Sequence, residues 1–502
     1  SFPTRRSSDL RRKRGKLEDP QKRVLINSLV CEGCGDCGKK SFCVSVLPKE
    51  TEFGRKREID QSNCNKDYSC VNGFCPSFVT VHGGQPRKGS KRDASTLLDN
   101  LPAPSVRSTL EQPWNILITG VGGTGVVTIG ALLGMAGHLE GKGASVLDQT
   151  GLAQKGGAVT THIRIAQRPD DIHAVRIAAG EADLVLGCDM VVVNDYWALS
   201  KVRAGRSQVV LNTYEAMPGT FTTRPDMQFP AADIIAGVRV ALGGQQPLLL
   251  DATQLATALL GDAIAANLFI LGYAWQQGLV PLSFDSLMRA IELNGAAVAM
   301  NQQAFAWGRL AAVDPQAVQQ AAGLVRNRHT DTESTPGPLH PLPPGEWEGN
   351  EWGATAAPRN TGDERELRGL PSHGGDVAFL PLDDARLSRS LDEMIERRAA
   401  FLVEYQDAAY ANRYRSLVER VRAAEAERIG GSTALTETVA RYLFKLMAYK
   451  DEYEVARLYT SGDFQRRLQQ QFEGDYQLRF HLAPPLFAKK DEQGRLLKKE
   501  YG

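Results

Sequence analysis

The chain has 502 residues, 42% of them hydrophobic, and its formal net charge at pH 7 is +1. This length predicts about three domains with substantial cores. The near-neutral charge argues against nucleic acid as a partner and against an electrostatic membrane surface. No apolar run reaches the roughly 18 residues of a membrane span, and no signal peptide is recognisable, so the sequence predicts a cytoplasmic protein.

Both ends of the chain predict that it is a fragment of a longer protein or a processed form. It begins with Ser1 rather than methionine, and its first residues, SFPTRRSSDL, fit nothing that follows. We therefore interpret residues 1–15 as an artefactual or disordered N-terminus. The chain closes on KKEYG without a helix-ending signal, which predicts a truncated C-terminal domain.

Seven of the eight cysteines fall within residues 16–84, which we assign to an iron–sulfur cluster segment. Cys31, Cys34 and Cys37 are separated by two residues each, and Cys75 is followed by a proline. The short spacing lets one loop direct three thiolates at a single cubane, and a distant Cys-Pro completes the ligands, as in bacterial ferredoxin-type sites. The pattern predicts a 4Fe-4S cluster held by these four cysteines in a ferredoxin-like segment.

The other three cysteines of the segment suit a second cluster with an incomplete or non-cysteine ligand set; they are Cys43, Cys64 and Cys70. Zinc is an alternative, because CxxC pairs also occur in zinc ribbons. Disulfides are disfavoured in a chain without a secretion signal. The eighth cysteine, Cys188, adjoins an apolar strand and is predicted to be a buried structural residue.

Residues 85–113 are rich in Lys, Arg, Ser and Pro, which predicts a linker. From residue 114 to 326, apolar runs alternate with helical stretches, and this alternation predicts a Rossmann-like domain with a parallel sheet. Strands are predicted at Trp114–Thr119, Ala144–Leu147, Thr160–Ile165, Asp183–Leu186, Val191–Val193 and Gln208–Asn212, and helices at Val126–Leu139 and Ala263–Gln276.

The first of these strands runs into a glycine-rich turn and then a helix, the order found in dinucleotide-binding sites. Gly120, Gly122, Gly123 and Gly125 would let a phosphate approach the backbone at the helix N-terminus. Asp148 follows the next predicted strand, where a ribose-binding acid could lie. The same glycines could instead serve only to let the helix pack closely on the sheet.

The loop DQTGLAQKGG after the second strand suits a lid or a subunit contact better than an adenine pocket. Within it, Lys155 is the candidate for binding a phosphate or a carboxylate. His162 alternates with apolar residues on a strand and is predicted to be a core or interface histidine with satisfied hydrogen bonds.

The last third of the chain divides into two predicted segments. Residues 327–375 are rich in Pro, Gly and Glu and lack apolar periodicity, so they are predicted to be a disordered linker. Residues 376–502 carry apolar side chains at helical spacing, such as Leu391, Ile395 and Leu402, and are predicted to form a mostly α-helical C-terminal domain.

Several of these motifs together resemble one enzyme family. CEGCGDCGKKSFC, SCVNGFCPSFVTV and TGVGGTGVVTIGALLGMAGHLEGK followed by DQTGLAQKGGAV are similar to indolepyruvate ferredoxin oxidoreductase in its long fused form. That enzyme belongs to the thiamine-diphosphate-dependent 2-oxoacid:ferredoxin oxidoreductases. The resemblance covers about residues 16–326 and resumes near residue 376. It implies that residues 114–326 are the pyruvate/ketoisovalerate oxidoreductase gamma-type domain, and residues 376–502 the extra domain of the fused enzymes.

The resemblance also implies an activity. Oxidative decarboxylation of an aryl 2-oxoacid would yield acyl-CoA from coenzyme A, and electrons would pass through 4Fe-4S clusters to ferredoxin. The full-length enzyme would use thiamine diphosphate and Mg²⁺ and would be a homo-oligomer. No Gly-Asp motif of thiamine sites stands upstream of the cysteines, so the thiamine-binding catalytic half is expected to be absent from this chain. Its catalytic residues are therefore unknown, and the glycine loop and Lys155 are expected near the interface with the absent half.

Two other functions remain open from the residues alone. One is a stand-alone iron–sulfur electron carrier or interaction module without a catalytic site of its own. The other is a dinucleotide-dependent iron–sulfur reductase, in which the loop from Gly120 to Gly125 binds NAD or a flavin.

Overall fold

A computed structural model describes residues 18–73, 75–87, 101–122, 124–150, 157–324, 386–483 and 498–501. The predicted artefactual N-terminus and the predicted disordered linker at residues 327–375 lie outside the described residues. Among the described residues, no helix has the length and apolar character needed to cross a bilayer.

The cysteine segment consists of short strands, one short α-helix and a 3₁₀ turn at Ser69–Asn72. Its elements are β1 (Lys22–Ile26), α1 (Asp36–Ser41), β2 (Val46–Lys49), β3 (Lys56–Ile59), β4 (Phe78–His82) and β5 (Gln85–Pro86). β1 pairs antiparallel with β4, and β2 pairs antiparallel with β3 as a hairpin. Helix α1 begins after Gly35, whose φ of 79° lies in the left-handed region that glycine adopts without strain.

The region from residue 114 to 324 is a six-stranded sheet covered by helices. Its strands are β6 (Trp114–Val121), β7 (Gly143–Thr150), β8 (Ala158–Ala166), β9 (Leu184–Gly187), β10 (Gln208–Asn212) and β11 (Leu248–Leu250). Its helices are α2 (Val126–Leu139), α3 (Met190–Val193), α4 (Tyr196–Leu199), α5 (Ala231–Ala241), α6 (Ala252–Leu260), α7 (Ala266–Gln276), α8 (Phe284–Asn294), α9 (Val298–Val313) and α10 (Pro315–Ala321).

Side chains of the central strand β6 alternate between two hydrophobic cores. Ile116 and Ile118 pack in a core with α2 and the later helices, whereas Leu117 packs with α3 to α5. Alternation of this kind follows from the two-residue period of a strand, and it shows that both faces of the sheet are covered.

The strand order is β11-β10-β9-β6-β8-β7, and the predicted parallel core is confirmed for β11, β10, β9 and β6. β8 differs, since it runs antiparallel to both β6 and β7. The physical reason is the seven-residue connection between β7 and β8, residues 151–157. A parallel crossover needs a dozen or more residues.

One predicted strand, Val191–Val193, is wrong, because these residues lie in the short helix α3. The carboxylate of Asp189 accepts hydrogen bonds from the backbone N–H groups of Val191 and Val192, each at 2.9 Å. This side-chain cap starts a helical turn and overrides the strand preference of the valines.

The C-terminal region is mostly helical, as predicted. It contains α11 (Leu391–Tyr405), α12 (Ala408–Arg428), α13 (Ala434–Met447), α14 (Glu452–Thr460), α15 (Gly462–Gln471), β12 (Phe472–Glu473), β13 (Gln477–Leu482) and β14 (Lys499–Tyr501). Of the predicted apolar stripe, Ile395 and Leu402 are buried.

The C-terminal region completes the cysteine segment rather than standing apart from it. β13 pairs with β4 and β14 with β13, so one four-stranded sheet has the order β1-β4-β13-β14. Leu29 and Val30 from the cysteine segment also lie in the same buried core as Tyr414 and Phe444. The surroundings of the cysteines are therefore built from both parts of the chain.

Candidate metal centre

Six of the seven predicted cysteine ligands pack in or against one small core, the exception being the exposed Cys34, and all seven are free thiols. Each thiol is free; Cys31, Cys37 and Cys70 are buried, Cys43, Cys64 and Cys75 are partly buried, and Cys34 is exposed. The tight turn that starts α1 at Gly35 positions the middle of the CxxCxxC loop. A Cβ at Gly33 would lie 2.1 Å from the carbonyl oxygen of Arg55, so only glycine fits this loop against the hairpin.

Four of the thiols influence one another's charge. Burial raises the pKa of Cys37 to about 12, and the neighbouring thiols of Cys31 and Cys75 add to the increase. Burial also raises the pKa of Cys75, and Cys31 and Cys34 contribute with the same sign. These four are the residues that the sequence assigns to the first cluster.

The other three thiols lie close enough to affect one another as well. Burial raises the pKa of Cys70, and the thiols of Cys43 and Cys64 add to the shift. Burial likewise raises the pKa of Cys64, with Cys43 contributing. The carboxylate of Asp67 acts in the same direction on both Cys64 and Cys70.

Within the described ranges, no three His, Cys, Asp or Glu side chains are arranged to hold a single metal ion. A four-iron cluster makes a different demand, because each of its thiolates binds a different iron atom. The division into two sets and the ligand role of each cysteine stay predictions, because Cys37 of the first set also contributes to the raised pKa of Cys70 in the second.

Hydrogen bonds to sulfur show how this region could stabilise thiolates. The Gly33 backbone N–H donates to Cys31 Sγ at 3.3 Å, and the Lys66 backbone N–H donates to Cys64 Sγ at 3.4 Å. Cys75 Sγ lies 2.9 Å from Ser77 Oγ. Donors of this type offset negative charge on cluster sulfurs and help to set their potential, so the residues present fit an iron–sulfur cluster.

Basic groups from the far end of the chain also reach the cysteines. Lys498 Nζ donates to the Cys75 carbonyl at 2.8 Å, and Lys450 Nζ lies 3.5 Å from the Cys31 carbonyl. Burial lowers the pKa of Lys498, while the thiol of Cys75 opposes that shift. These contacts span 423 and 419 residues of sequence, so no spacing rule could have indicated them.

The glycine loop after β6 is shaped by close packing. A Cβ at Gly120 would lie 2.5 Å from Val126 Cγ2, and Gly125 has a φ of 100° immediately before α2. The Gly122 backbone N–H donates to the Gly157 carbonyl at 2.9 Å. Two other predicted loop residues, Gly123 and Lys155, lie outside the described residues.

Asp148 does not have the surroundings of a ribose-binding acid. It lies within β7 rather than after it, and its Oδ1 accepts a hydrogen bond from Thr161 Oγ1 at 2.6 Å. β8 also separates β7 from β6, whereas the acid of a dinucleotide site belongs to a strand beside the glycine strand. This geometry favours the packing interpretation of the glycines over the dinucleotide one.

His162 and Cys188, the two remaining residues considered in the sequence, have the environment of structural rather than reactive side chains. His162 is 2% exposed, and its Nδ1 accepts a hydrogen bond from the Ile177 backbone N–H at 3.2 Å. Burial, with smaller contributions from Arg176 and Lys201, lowers its pKa to about 4. The prediction of a satisfied core histidine is confirmed. Cys188 is partly rather than fully buried, and burial raises its pKa to about 12, which agrees with an unreactive thiol.

The sheet region is similar in sequence to known proteins. Residues 115–311 match the family model described as "Pyruvate ferredoxin/flavodoxin oxidoreductase". The predicted resemblance is confirmed for this segment. Residues 391–502 match a model described as "Family of unknown function (DUF6537)", and neither match includes the cysteine segment.

Curated relatives carry the name indolepyruvate oxidoreductase subunit IorB. The protein of Methanothermobacter thermautotrophicus is 29% identical over 203 residues, which are 40% of this chain and 98% of the relative. That of Pyrococcus horikoshii is 28% identical over 201 residues, 40% of this chain and 96% of the relative. Among solved structures, the pyruvate oxidoreductase subunit PORC of Thermotoga maritima is 19% identical with a TM-score of 0.29, over 40% of this chain and 96% of that one.

Proposed function

We propose that this chain is the electron-relay and gamma-type portion of an indolepyruvate-type (aryl 2-oxoacid) ferredoxin oxidoreductase. The observation that carries the proposal is the grouping of seven free thiols in the same chain as a region matched to the pyruvate ferredoxin/flavodoxin oxidoreductases. The names of the curated relatives support the indolepyruvate type.

In this proposal the two sets of thiols hold 4Fe-4S clusters, which accept and release electrons one at a time. Cys31, Cys34, Cys37 and Cys75 would hold the first. Cys43, Cys64 and Cys70 would hold a second, with an incomplete or non-cysteine ligand set.

The protein's contribution is to surround the clusters with a suitable environment. Burial of Cys31, Cys37 and Cys70 excludes water, and the N–H donors at Gly33 and Lys66 stabilise charge on sulfur. The ammonium groups of the C-terminal region lie against the same loops, where they offset the negative charge that bound thiolates carry.

The rest of the reaction lies outside the described residues. Thiamine diphosphate, Mg²⁺ and the site of decarboxylation would belong to a thiamine-binding half of the enzyme, with coenzyme A as acyl acceptor and ferredoxin as electron acceptor. The glycine loop at Gly120–Gly125 and Lys155 would lie at the interface with that half. Homo-oligomerisation and a cytoplasmic location belong to the same proposal.

Anaerobic reconstitution of the full chain with iron and sulfide tests the clusters. We expect about four irons and four sulfides per cluster. Cys34→Ser should remove the signal of the first cluster and Cys70→Ser that of the second, as measured by iron analysis and electron paramagnetic resonance. Cys188→Ser is the matched control, because this thiol lies outside both sets, and it should leave iron content unchanged.

Two outcomes would contradict the proposal. Stoichiometric zinc without inorganic sulfide would indicate a zinc site. Equal iron loss in Cys34→Ser and Cys188→Ser would show that the thiols are not the ligands. The enzyme class is tested separately, by adding a thiamine-diphosphate-binding polypeptide of the same enzyme and measuring coenzyme A-dependent reduction of ferredoxin by indolepyruvate.

A further inference from the structure

A cavity of about 420 Å³ lies between the β2–β3 hairpin and the C-terminal helices α11 and α13. Its apolar wall is formed by side chains from both parts of the chain: Leu29, Phe53, Met394, Phe401 and Phe444. A cavity of this size, with an apolar wall and a few charged groups, has the character of a small-molecule site. It lies outside the sets of thiols and outside the glycine loop.

The charges around this cavity do not balance. Three of its basic side chains have acidic partners that also line it: Arg55 pairs with Glu50, Arg398 with Glu52, and Lys450 with Glu32. Three further basic side chains line the cavity without a partner there, namely Lys56, Arg441 and Lys445. Of these, Arg441 pairs with Glu437 at 3.7 Å, but Glu437 does not line the cavity.

Lys56 is the most informative of the three. It lies on β3, is 5% exposed, and its ammonium makes no hydrogen bond or salt bridge with any described residue. Burial, with a smaller contribution from the nearby Lys450, lowers the pKa of Lys56 to about 8, while Glu32 opposes the shift. An ammonium held this way is costly to the fold, because a buried charge needs a partner.

The partner that Lys56 lacks is an anion, and the wall of the cavity indicates what kind of group carries that anion. The rings of Phe53, Phe401 and Phe444 pack against one another with centroids 5.2–5.3 Å apart, but Phe53 stays partly exposed at the cavity, and an inorganic ion would not cover it. A carboxylate attached to an aromatic or other apolar group would pair with Lys56 and cover the ring of Phe53. We propose that this cavity binds a small organic carboxylate with an apolar body, held by Lys56. This proposal does not depend on the proposed reaction.

A second role for Lys56 has to be separated from binding. Its ammonium lies near enough to the thiol of Cys31 to affect its own pKa, so it could serve only to offset the charge of a bound cluster. The experiment must therefore measure ligand binding and the cluster separately.

Calorimetry on the reconstituted full chain with phenylacetate as the probe tests the site. The wild type should bind phenylacetate. Lys56→Met should weaken binding by about tenfold to a hundredfold, the usual value of one charge-assisted hydrogen bond. The variant should also raise the melting temperature of the unliganded protein, since it removes an uncompensated buried charge, and this rise shows that it folds.

Lys49→Met is the matched control. Lys49 lies opposite Lys56 in the hairpin, pairs with Glu58 at 3.6 Å and does not line the cavity, so its loss should leave binding unchanged. The proposal is overturned if phenylacetate does not bind, if Lys56→Met binds it as tightly as the wild type, or if acetate binds equally well. A changed cluster potential in Lys56→Met with unchanged phenylacetate affinity would likewise overturn it in favour of charge compensation.

Discussion

The ion pair between Glu52 and Arg398 joins the cysteine segment to helix α11, and breaking it should loosen that joint. The two side chains are 3% and 4% exposed. The Arg398 guanidinium donates both to the Glu52 carboxylate and to its backbone carbonyl. The second carboxylate oxygen accepts from the Ser388 backbone N–H at 2.6 Å and from Arg397 at 3.3 Å.

Glu52→Ala leaves the Arg398 charge buried without a carboxylate to pair with, although its hydrogen bonds to backbone carbonyls remain. Removing one member of a buried pair costs about 3–5 kcal/mol, because the remaining charge stays in a low-dielectric environment. At 1.4 kcal/mol for each factor of ten, local opening of α11 should become roughly a hundredfold to a few thousandfold more frequent. Amide hydrogen exchange of peptides covering Leu391–Tyr405 measures this opening directly, without assuming that the whole chain unfolds in one step.

The exposed pair between Glu396 and Arg415, at 2.7 Å, provides the control on the same helix. Glu396→Ala should change exchange by less than about 1 kcal/mol, the range of surface ion pairs. Adding Arg398→Met to Glu52→Ala should restore part of the protection, since no unpaired charge then remains. Exchange in Glu52→Ala no faster than in Glu396→Ala would refute the argument.

Two further predictions concern single positions. Gly272→Ala should prevent cooperative unfolding in circular dichroism melts, because its Cβ would lie 2.0 Å from the Phe305 carbonyl oxygen, whereas Gly219→Ala meets nothing within 4 Å and should melt normally. Hydrogen bonds, first from the Thr436 hydroxyl, lower the pKa of Glu425 from 4.5 to about 2, so the stability it adds is complete above pH 4.5 and is lost as the pH falls towards 2. Glu425→Gln should flatten the dependence of the urea midpoint on pH in that window, and an unchanged slope would show that Glu425 is not responsible.

Local sequence patterns predicted those helices and strands whose own residues mark both their apolar face and their ends. Helix α2 has the predicted bounds Val126–Leu139 and strand β10 the predicted bounds Gln208–Asn212, because each combines a strong apolar pattern with clear ends. The strand predicted at Val191–Val193 was wrong since a cap at Asp189 outweighs the preference of three valines. The direction of β8 depended on the length of a loop rather than on its own residues.

The candidate site likewise has residues that local sequence predicts and residues that only long-range contacts place. Spacing alone groups Cys31, Cys34 and Cys37, since ligands close in sequence need only one loop to bring them together, whereas the places of the other four cysteines in the proposed clusters stay predictions. The lysines against that loop, Lys450 and Lys498, belong to a region whose own pattern predicts only packed helices. Their position depends on β13 pairing with β4, a contact between strands about 400 residues apart that no local pattern encodes.

This long-range pairing links the cysteines to the C-terminal region energetically. Tyr459 on α14 donates a hydrogen bond to the carbonyl of Pro76 at 2.7 Å, directly after Cys75, and burial raises its pKa well above the usual value. The backbone around Cys75 is therefore held in place by the C-terminal helices and, through Lys498, by the strand β14. A group that binds only the folded arrangement of these thiols stabilises every element that maintains it. Clusters bound in the proposed sites would consequently stabilise the C-terminal region, and the folding of that region would in turn strengthen cluster binding.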